Sequence, residues 1–172
     1  GAGVYGHAVS LTDSTESAGV TGSVGAMRIA LGSDHAGYDL KAQVATALAE
    51  RGHDVVDLGP ENGITSVDYP DYGAAVGHAV TNGTAELGVA ICGSGIGISI
   101  AANKVAGVRA ALVHDATSAR LAREHNHANV LCLGARLIGP QVALDALDAW
   151  LGATPGDGRH IGRIEKLGQL DH

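Results

Sequence analysis

Residues 87–97 read Leu-Gly-Val-Ala-Ile-Cys-Gly-Ser-Gly-Ile-Gly. The first six carry no charge, as a strand does when both faces of a parallel sheet are covered. Glycines at alternate positions follow at once, and Gly97–Val105 then reads as a helix. Strand, glycine-rich turn and helix in this order form the repeating unit of a parallel α/β sheet.

The same alternation runs outward in both directions. Upstream, Met27–Leu31 and Val55–Leu58 are short apolar runs. Between them, Tyr38–Arg51 places Leu40, Val44, Ala47 and Leu48 on one helical face, and Gly52 ends the helix. Asp71–Val80 is a second helix, rich in Ala and Gly and therefore suited to close packing. Downstream, Val108–Val113, Asp115–His125 and Val130–Leu133 continue as strand, helix, strand; Gln141–Leu151 is a fifth helix, and the tail from Gly162 reads as helical. The expectation is a single-domain, doubly wound three-layer α/β sandwich with a five-stranded parallel sheet of order 2-1-3-4-5 and a C-terminal helical tail. In that order strands one and three meet at the topological switch point, where ligands bind beyond the carboxyl ends of the strands.

Composition bounds the rest. The 172 residues amount to about one domain. Residues 1–26 hold no Lys or Arg, are rich in Gly, Ser, Thr and Ala, and show no sustained period. They read as a flexible extension or an artificial leader outside a domain of residues 27–172, with Met27, the only Met, as the candidate natural start. A net charge of −7 argues against nucleic acid or a membrane surface as the main partner. Two Cys make no disulfide framework, so a reducing cytoplasm is expected. The longest uncharged run, Leu87 to Asn103, spans 17 residues but contains four Gly, two Ser and an Asn, and reads poorly as a membrane span.

Two loops leave the switch point. Ser33-Asp34-His35-Ala36-Gly37 follows strand one, and Cys92-Gly93-Ser94-Gly95-Ile96-Gly97 follows strand three. The glycine loop is no dinucleotide fingerprint, because Ile98 stands where the third Gly belongs, and no Lys-Ser/Thr pair makes it a nucleotide-binding P-loop. It remains a nest of backbone N–H groups at a helix N-terminus, suited to a phosphate or a developing oxyanion. Cys92 reads either as a small buried hydrophobe or as a thiol beside a helix N-terminus, a place that favours thiolate. Cys132, inside an apolar strand, reads as structural. Asp34 is either a cap for the next helix or a site acid. His125 and His127 are either helix-end residues in a favourable dipole or site imidazoles; two His spaced by two on a helix point apart, which disfavours a metal pair. Arg159, His160 and Arg163 form a cationic cluster, either a solvated basic end or a phosphate clamp with its arginines one helical turn apart.

Ser33–Gly37, Asp68-Tyr69-Pro70, the block from Cys92 to Lys104 (CGSGIGISIAANK), His125-Asn126 and Arg159–Arg163 together resemble the B-type sugar-phosphate isomerase family. That family includes ribose-5-phosphate isomerase B and galactose-6-phosphate isomerase subunits. The resemblance runs in order from Met27 to the C-terminus. It implies metal-free and cofactor-free interconversion of an aldose and a ketose phosphate, with ribose 5-phosphate and ribulose 5-phosphate as the type pair. It further implies Cys92 as the base between C1 and C2. The amides of Gly93, Ser94, Gly95, Ile96 and Gly97, with the Ser94 hydroxyl, would hold the enediolate oxygen. His125 would open the sugar ring with Asn126 beside it, and Asp34 would contact the hydroxyls and shuttle protons. His35, Arg136, Arg159 and Arg163 would take the phosphate, and Tyr69 would line the pocket. One branch of the family lacks the Cys and carries Glu at the position of Ile98; this chain resembles the Cys branch. Ser94 stands where many relatives have Thr, which keeps the hydroxyl.

The topology adds an expectation. Cys92 ends a strand, whereas His125 ends a helix just before the next strand begins, at the opposite edge of the sheet. If both are catalytic, His125 comes from a second subunit. The expected assembly is a homodimer with shared active sites, with a tetramer as the larger alternative. A pentose-phosphate role, another sugar phosphate as substrate (erythrulose, allose or galactose phosphate), and a non-catalytic sugar-phosphate sensor stand as further readings.

Overall fold

The computed structural model describes residues 25–172; the extension expected over residues 1–26 lies, apart from Gly25 and Ala26, outside the described residues. Five parallel strands, β1 (Arg28–Ser33), β2 (Asp54–Asp57), β3 (Leu87–Cys92), β4 (Ala110–Leu112) and β5 (Val130–Gly134), form one sheet. The helices are α1 (Tyr38–Glu50), α2 (Tyr69–Thr81), α3 (Ile96–Asn103), α4 (Ala116–Asn126), α5 (Pro140–Gly152) and α6 (Arg159–Gly168). The strand bounds expected for β3 are met to the residue. The second helix begins earlier than expected, at Tyr69, and the tail helix begins at Arg159 rather than Gly162. The Arg159–Arg163 pair therefore does lie one helical turn apart.

The sheet order is β2-β1-β3-β5-β4, not 2-1-3-4-5. Burial explains the exchange. Every residue of β5 is buried, whereas the three residues of β4 are all only half-buried. The longer apolar strand takes the interior place beside β3, and the short one becomes the edge. The side chain of Asn103 then closes that edge: its Nδ2 donates to the Ala110 carbonyl at 2.9 Å, and the Ala110 amide donates to its Oδ1 at 2.8 Å. An edge so covered is blocked as a template for strand pairing.

The exchange also decides which face each helix covers. A connection stepping back from β4 to β5 puts its helix on the opposite face from one stepping forward, if both are right-handed. Accordingly α2 and α3 pack together on one face, and α1, α4 and α5 on the other. The larger core lies under α1 and α5, around Trp150, Leu147, Leu48 and Leu131, all fully buried. The smaller core relies on close backbone approach: a Cβ on Gly73 would stand 2.8 Å from the Ile98 carbonyl oxygen. This is the close packing that the Ala- and Gly-rich second helix suggests.

One buried charge has no counterpart in the apolar pattern of α1. Lys41 is 3% exposed; its Nζ donates to Asp57 Oδ1 at 2.7 Å and to the Pro60 carbonyl at 3.0 Å. It ties α1 to the end of β2 and to the loop that leads to α2. No helix among the described residues is long and apolar enough to cross a membrane.

Candidate active site

The carboxyl ends of β1 and β3 open into a cleft of about 280 Å³ lined by Asp34, Tyr69, Cys92, Gly93, Ser94, Gly97, Arg136 and Leu137. Cys92 is the last residue of β3, and its Sγ accepts the Gly95 amide at 3.1 Å. Gly95 makes this turn at φ +75°, where a Cβ would stand 2.5 Å from Leu112 and 2.8 Å from the Leu133 carbonyl carbon. Only glycine fits both the conformation and the space.

The loop uses part of its own donor set. With the Gly95 amide on the thiol and the Ile96 amide donating to Ser94 Oγ at 3.2 Å, two of the five amides expected to face an oxyanion are committed within the loop. The set free for a ligand is thus narrower than the Gly93–Gly97 run. A Cβ on Gly134 would come within 2.4 Å of the Ser94 carbonyl oxygen, so β5 supports the loop from beneath.

Asp34 is buried and does not cap α1 itself, whose N-cap is Gly37 without a side-chain hydrogen bond. Its Oδ1 accepts the Gly37 amide at 3.0 Å, steadying the entry to α1, and the residue also lines the cleft. His35 is oriented by backbone: its Nδ1 lies 3.2 Å from the Val67 nitrogen and 3.3 Å from the Val67 oxygen. Nε2 is then the nitrogen available to a ligand. Tyr69, at the start of α2, lays its ring on Gly97, where a Cβ would meet it at 2.5 Å. Arg136 follows β5 and lies against Gly93, and its amide donates to the Gly93 carbonyl at 2.9 Å. Cys132 is fully buried, and desolvation first, then the neighbouring Cys92, pushes its thiol well above the usual range. It is inert in this setting.

The remaining expected residues gather elsewhere. His125 and Arg159 line an open concavity of about 830 Å³ with Arg120, Glu124, Asp157 and His160, formed where α4, the end of α5 and the start of α6 meet. The His125 and His160 rings are stacked, with centroids 4.5 Å apart and planes 13° from parallel. Desolvation, followed by the neighbouring charges of His125, Arg159 and Arg163, holds His160 below the usual imidazole range. His127 turns away and contacts the Gly156 carbonyl through Nε2 at 2.5 Å, so the two imidazoles of the His-Asn-His run do not share a ligand. Asn126 is exposed at the end of α4.

Within one chain, then, Cys92, Asp34, Ser94, Tyr69 and Arg136 gather at one cleft, and His125, Arg159 and His160 at a separate concavity. One lining residue and one contact escape the sequence pattern. Leu137 is signalled only by its adjacency to Arg136, and the stacking of His160 on His125 joins residues 35 positions apart, which no local spacing reveals.

A family model described as Ribose/Galactose Isomerase matches residues 29–167. Ribose-5-phosphate isomerase B of Escherichia coli (strain K12) is 44% identical over 144 residues, covering 84% of this chain and 96% of its own length. D-erythrulose-4-phosphate isomerase of Pectobacterium atrosepticum is 40% identical over 146 residues, covering 85% and 96%. Among solved structures, ribose-5-phosphate isomerase B of Clostridium thermocellum superposes with a TM-score of 0.82 at 50% identity, covering 84% of this chain and 97% of that one.

Proposed function

The chain belongs to the ribose/galactose isomerase family of sugar-phosphate isomerases, and on that premise we propose that it interconverts ribose 5-phosphate and ribulose 5-phosphate. The observation that carries the reading is Cys92 at the mouth of β3, its sulfur accepting the Gly95 amide and opening into a cleft with Asp34, Ser94 and Arg136. A hydrogen bond to sulfur is stronger when the sulfur is charged, so this geometry suits a thiolate base.

In the proposed reaction His125, with Asn126 beside it, gives a proton to the ring oxygen as the C1–ring-oxygen bond breaks and takes one back from the C1 hydroxyl, so the furanose opens to the aldehyde. Cys92 then removes the proton from C2 and returns it to C1. The enediolate formed between these steps is held by the amides not committed within the loop and by Ser94 Oγ, and Asp34 moves the proton between the two oxygens. Arg136 from the Cys92 half-site and Arg159 from the other, with His35 next to Asp34 and Arg163 one helical turn from Arg159, take the phosphate, whose remote binding energy positions the sugar. Loss of one such oxyanion donor typically costs about 10²–10³ in rate.

The division into two half-sites supports a homodimer whose active sites combine the Cys92 half of one subunit with the His125 half of the other. A second reading keeps the chemistry and changes the sugar: a relative named for erythrulose 4-phosphate shares 40% identity. A pure sensor has no use for a carbon-acid base, so the Cys92 arrangement argues against it.

The test is ribulose 5-phosphate formation from ribose 5-phosphate in EDTA, by the wild type and by a folded Cys92→Ala protein. Turnover lost in the variant is expected. Equal turnover in both removes Cys92 from the base role. No turnover in the wild type, with activity on a four- or six-carbon sugar phosphate, selects the second reading.

A further inference from the structure

The C-terminal turn of α4 is built in an unusual way for a helix end. His127 has φ +47°, the single non-glycine residue with positive φ among the described residues. Its amide donates to the Arg123 carbonyl at 3.1 Å, and the Ala128 amide reaches the Ala122 carbonyl at 3.0 Å. The first of these bonds is the closure that usually has glycine at the left-handed position. A side chain held there persists when the surroundings over-determine it.

Four side chains supply that determination. Arg109, half-buried just before β4, donates from Nε to the Asn126 carbonyl at 3.0 Å and to the His127 carbonyl at 3.3 Å, and from Nη2 to the His127 carbonyl at 3.1 Å. The Ala128 carbonyl accepts both Trp150 Nε1 and Arg123 Nη1 at 3.1 Å, and the His127 ring contacts Gly156. Arg109 is itself anchored: its amide donates to Asn129 Oδ1 at 2.7 Å, and Asn129 Nδ2 donates to the Gly107 carbonyl at 2.9 Å. Two guanidinium groups share this helix end despite their mutual repulsion. Burial first, and Arg109 second, disfavour the charge of Arg123. Cations at a helix C-terminus offset part of that cost.

We propose that Arg109 is a positioning residue for the isomerase reaction: by tying the Asn126 and His127 carbonyls to the head of β4, it fixes the direction in which His125 and Asn126 leave the end of α4. The inference rests on the reading of His125 and Asn126 as site residues. Arg109 lies in neither half-site and touches the turn through backbone alone, so it acts on the reaction through those two side chains. Its planar fork holds two carbonyls in a fixed geometry, which the flexible, point-like lysine ammonium does not impose.

The experiment measures kcat and KM for ribose 5-phosphate with Arg109→Met and Arg109→Lys, each alone and in a His125→Ala/Asn126→Ala background, with folding checked by circular dichroism. Arg109→Met is expected to lower kcat about tenfold or more while KM stays within about threefold, with Arg109→Lys intermediate. In the double-variant background the same change is expected to cost less than about twofold, because the groups it positions are gone. An unchanged kcat, or the same loss in both backgrounds, overturns the proposal. Should Arg109→Met not fold, Arg109→Lys carries the same comparison. If His125→Ala/Asn126→Ala itself leaves kcat intact, the underlying reading fails and the proposal falls with it; a loss there with none in the Arg109 variants sinks the proposal alone.

Discussion

The Gly95 amide donates to Cys92 Sγ across 3.1 Å, at the point where β3 hands over to α3. Residues three apart meet in this way because Gly95 takes a left-handed conformation in a space with no room for a Cβ. The pair links a backbone constraint to a chemical one: whatever moves Gly95 takes a donor away from the sulfur.

Gly95→Ala is therefore expected to reduce both stability and turnover. Strain at positive φ, added to a contact at 2.5 Å, costs about 1–3 kcal/mol. The lost donor lowers kcat by about 10²-fold, the usual effect of removing one preorganised hydrogen bond at a reacting centre. Urea denaturation and initial rates measure the two effects. Alkylation adds a check on the sulfur: one label per chain is expected, at Cys92, with sugar phosphate protecting. Cys132, fully buried with its thiol pushed up, stays unlabelled. Labelling at Cys132 first would contradict this assignment.

The two half-sites predict complementation. Cys92→Ala and His125→Ala proteins, each strongly impaired alone, should regain activity when mixed and allowed to exchange subunits. In a random dimer about a quarter of all sites pair two intact halves, so recovery approaching a quarter of wild-type activity is expected under the shared-site reading. No recovery after exchange is verified by mass spectrometry would mean that each site is built within one chain.

Lys41 and Asp57 give a stability prediction with an order to it. The ammonium is 3% exposed and the carboxylate 52% exposed. Lys41→Met removes the buried ion and leaves the Pro60 carbonyl short of a donor, costing about 1–2 kcal/mol. Asp57→Ala leaves the ammonium buried without its counter-charge and is expected to cost more, about 3 kcal/mol. Thermal unfolding of the two variants distinguishes the cases, and the reverse order would show that the pair is not held as described.

His160 carries the pH dependence. Its imidazole is held below the ordinary value by desolvation and then by His125, Arg159 and Arg163. The folded state therefore takes up its proton later than the unfolded chain as pH falls. His160 makes no demand on stability above the ordinary imidazole value of about 6.5. It lowers stability as pH drops from there through the folded-state pKa. His160→Gln should flatten the fall in melting temperature between pH 7.5 and 5.5, and Arg159→Gln should raise the His160 midpoint followed by NMR. A His160 midpoint above that of a free histidine would contradict the cationic surroundings described here.

Much of the architecture was legible before any coordinates. The uncharged runs Leu87–Cys92 and Val130–Leu133 read as strands, and the 3.6-residue spacing of Leu40, Val44 and Leu48 reads as a buried helix face. Two features were not legible. Lys41 sits within that apolar face because Asp57 and the Pro60 carbonyl satisfy it, and those partners are 16 and 19 positions away. The order of the last two strands depends on a comparison of burial between Ala110–Leu112 and Val130–Gly134, which periodicity within either strand does not report.

The sequence by itself determined the α/β class, the glycine loop that follows β3, and the helical spacing of Arg159 and Arg163. These follow from local rules: side-chain period, glycine at a turn, charge at a helix end. Only the tertiary structure decided that β5 lies inside β4, that α4 consequently covers the α5 face, and that His125 stacks on His160 rather than facing Cys92. It also decided which amides of the glycine loop are already committed. Those outcomes turn on competition between distant groups for the same buried space and the same hydrogen bonds, and that competition is settled only when the whole chain has packed.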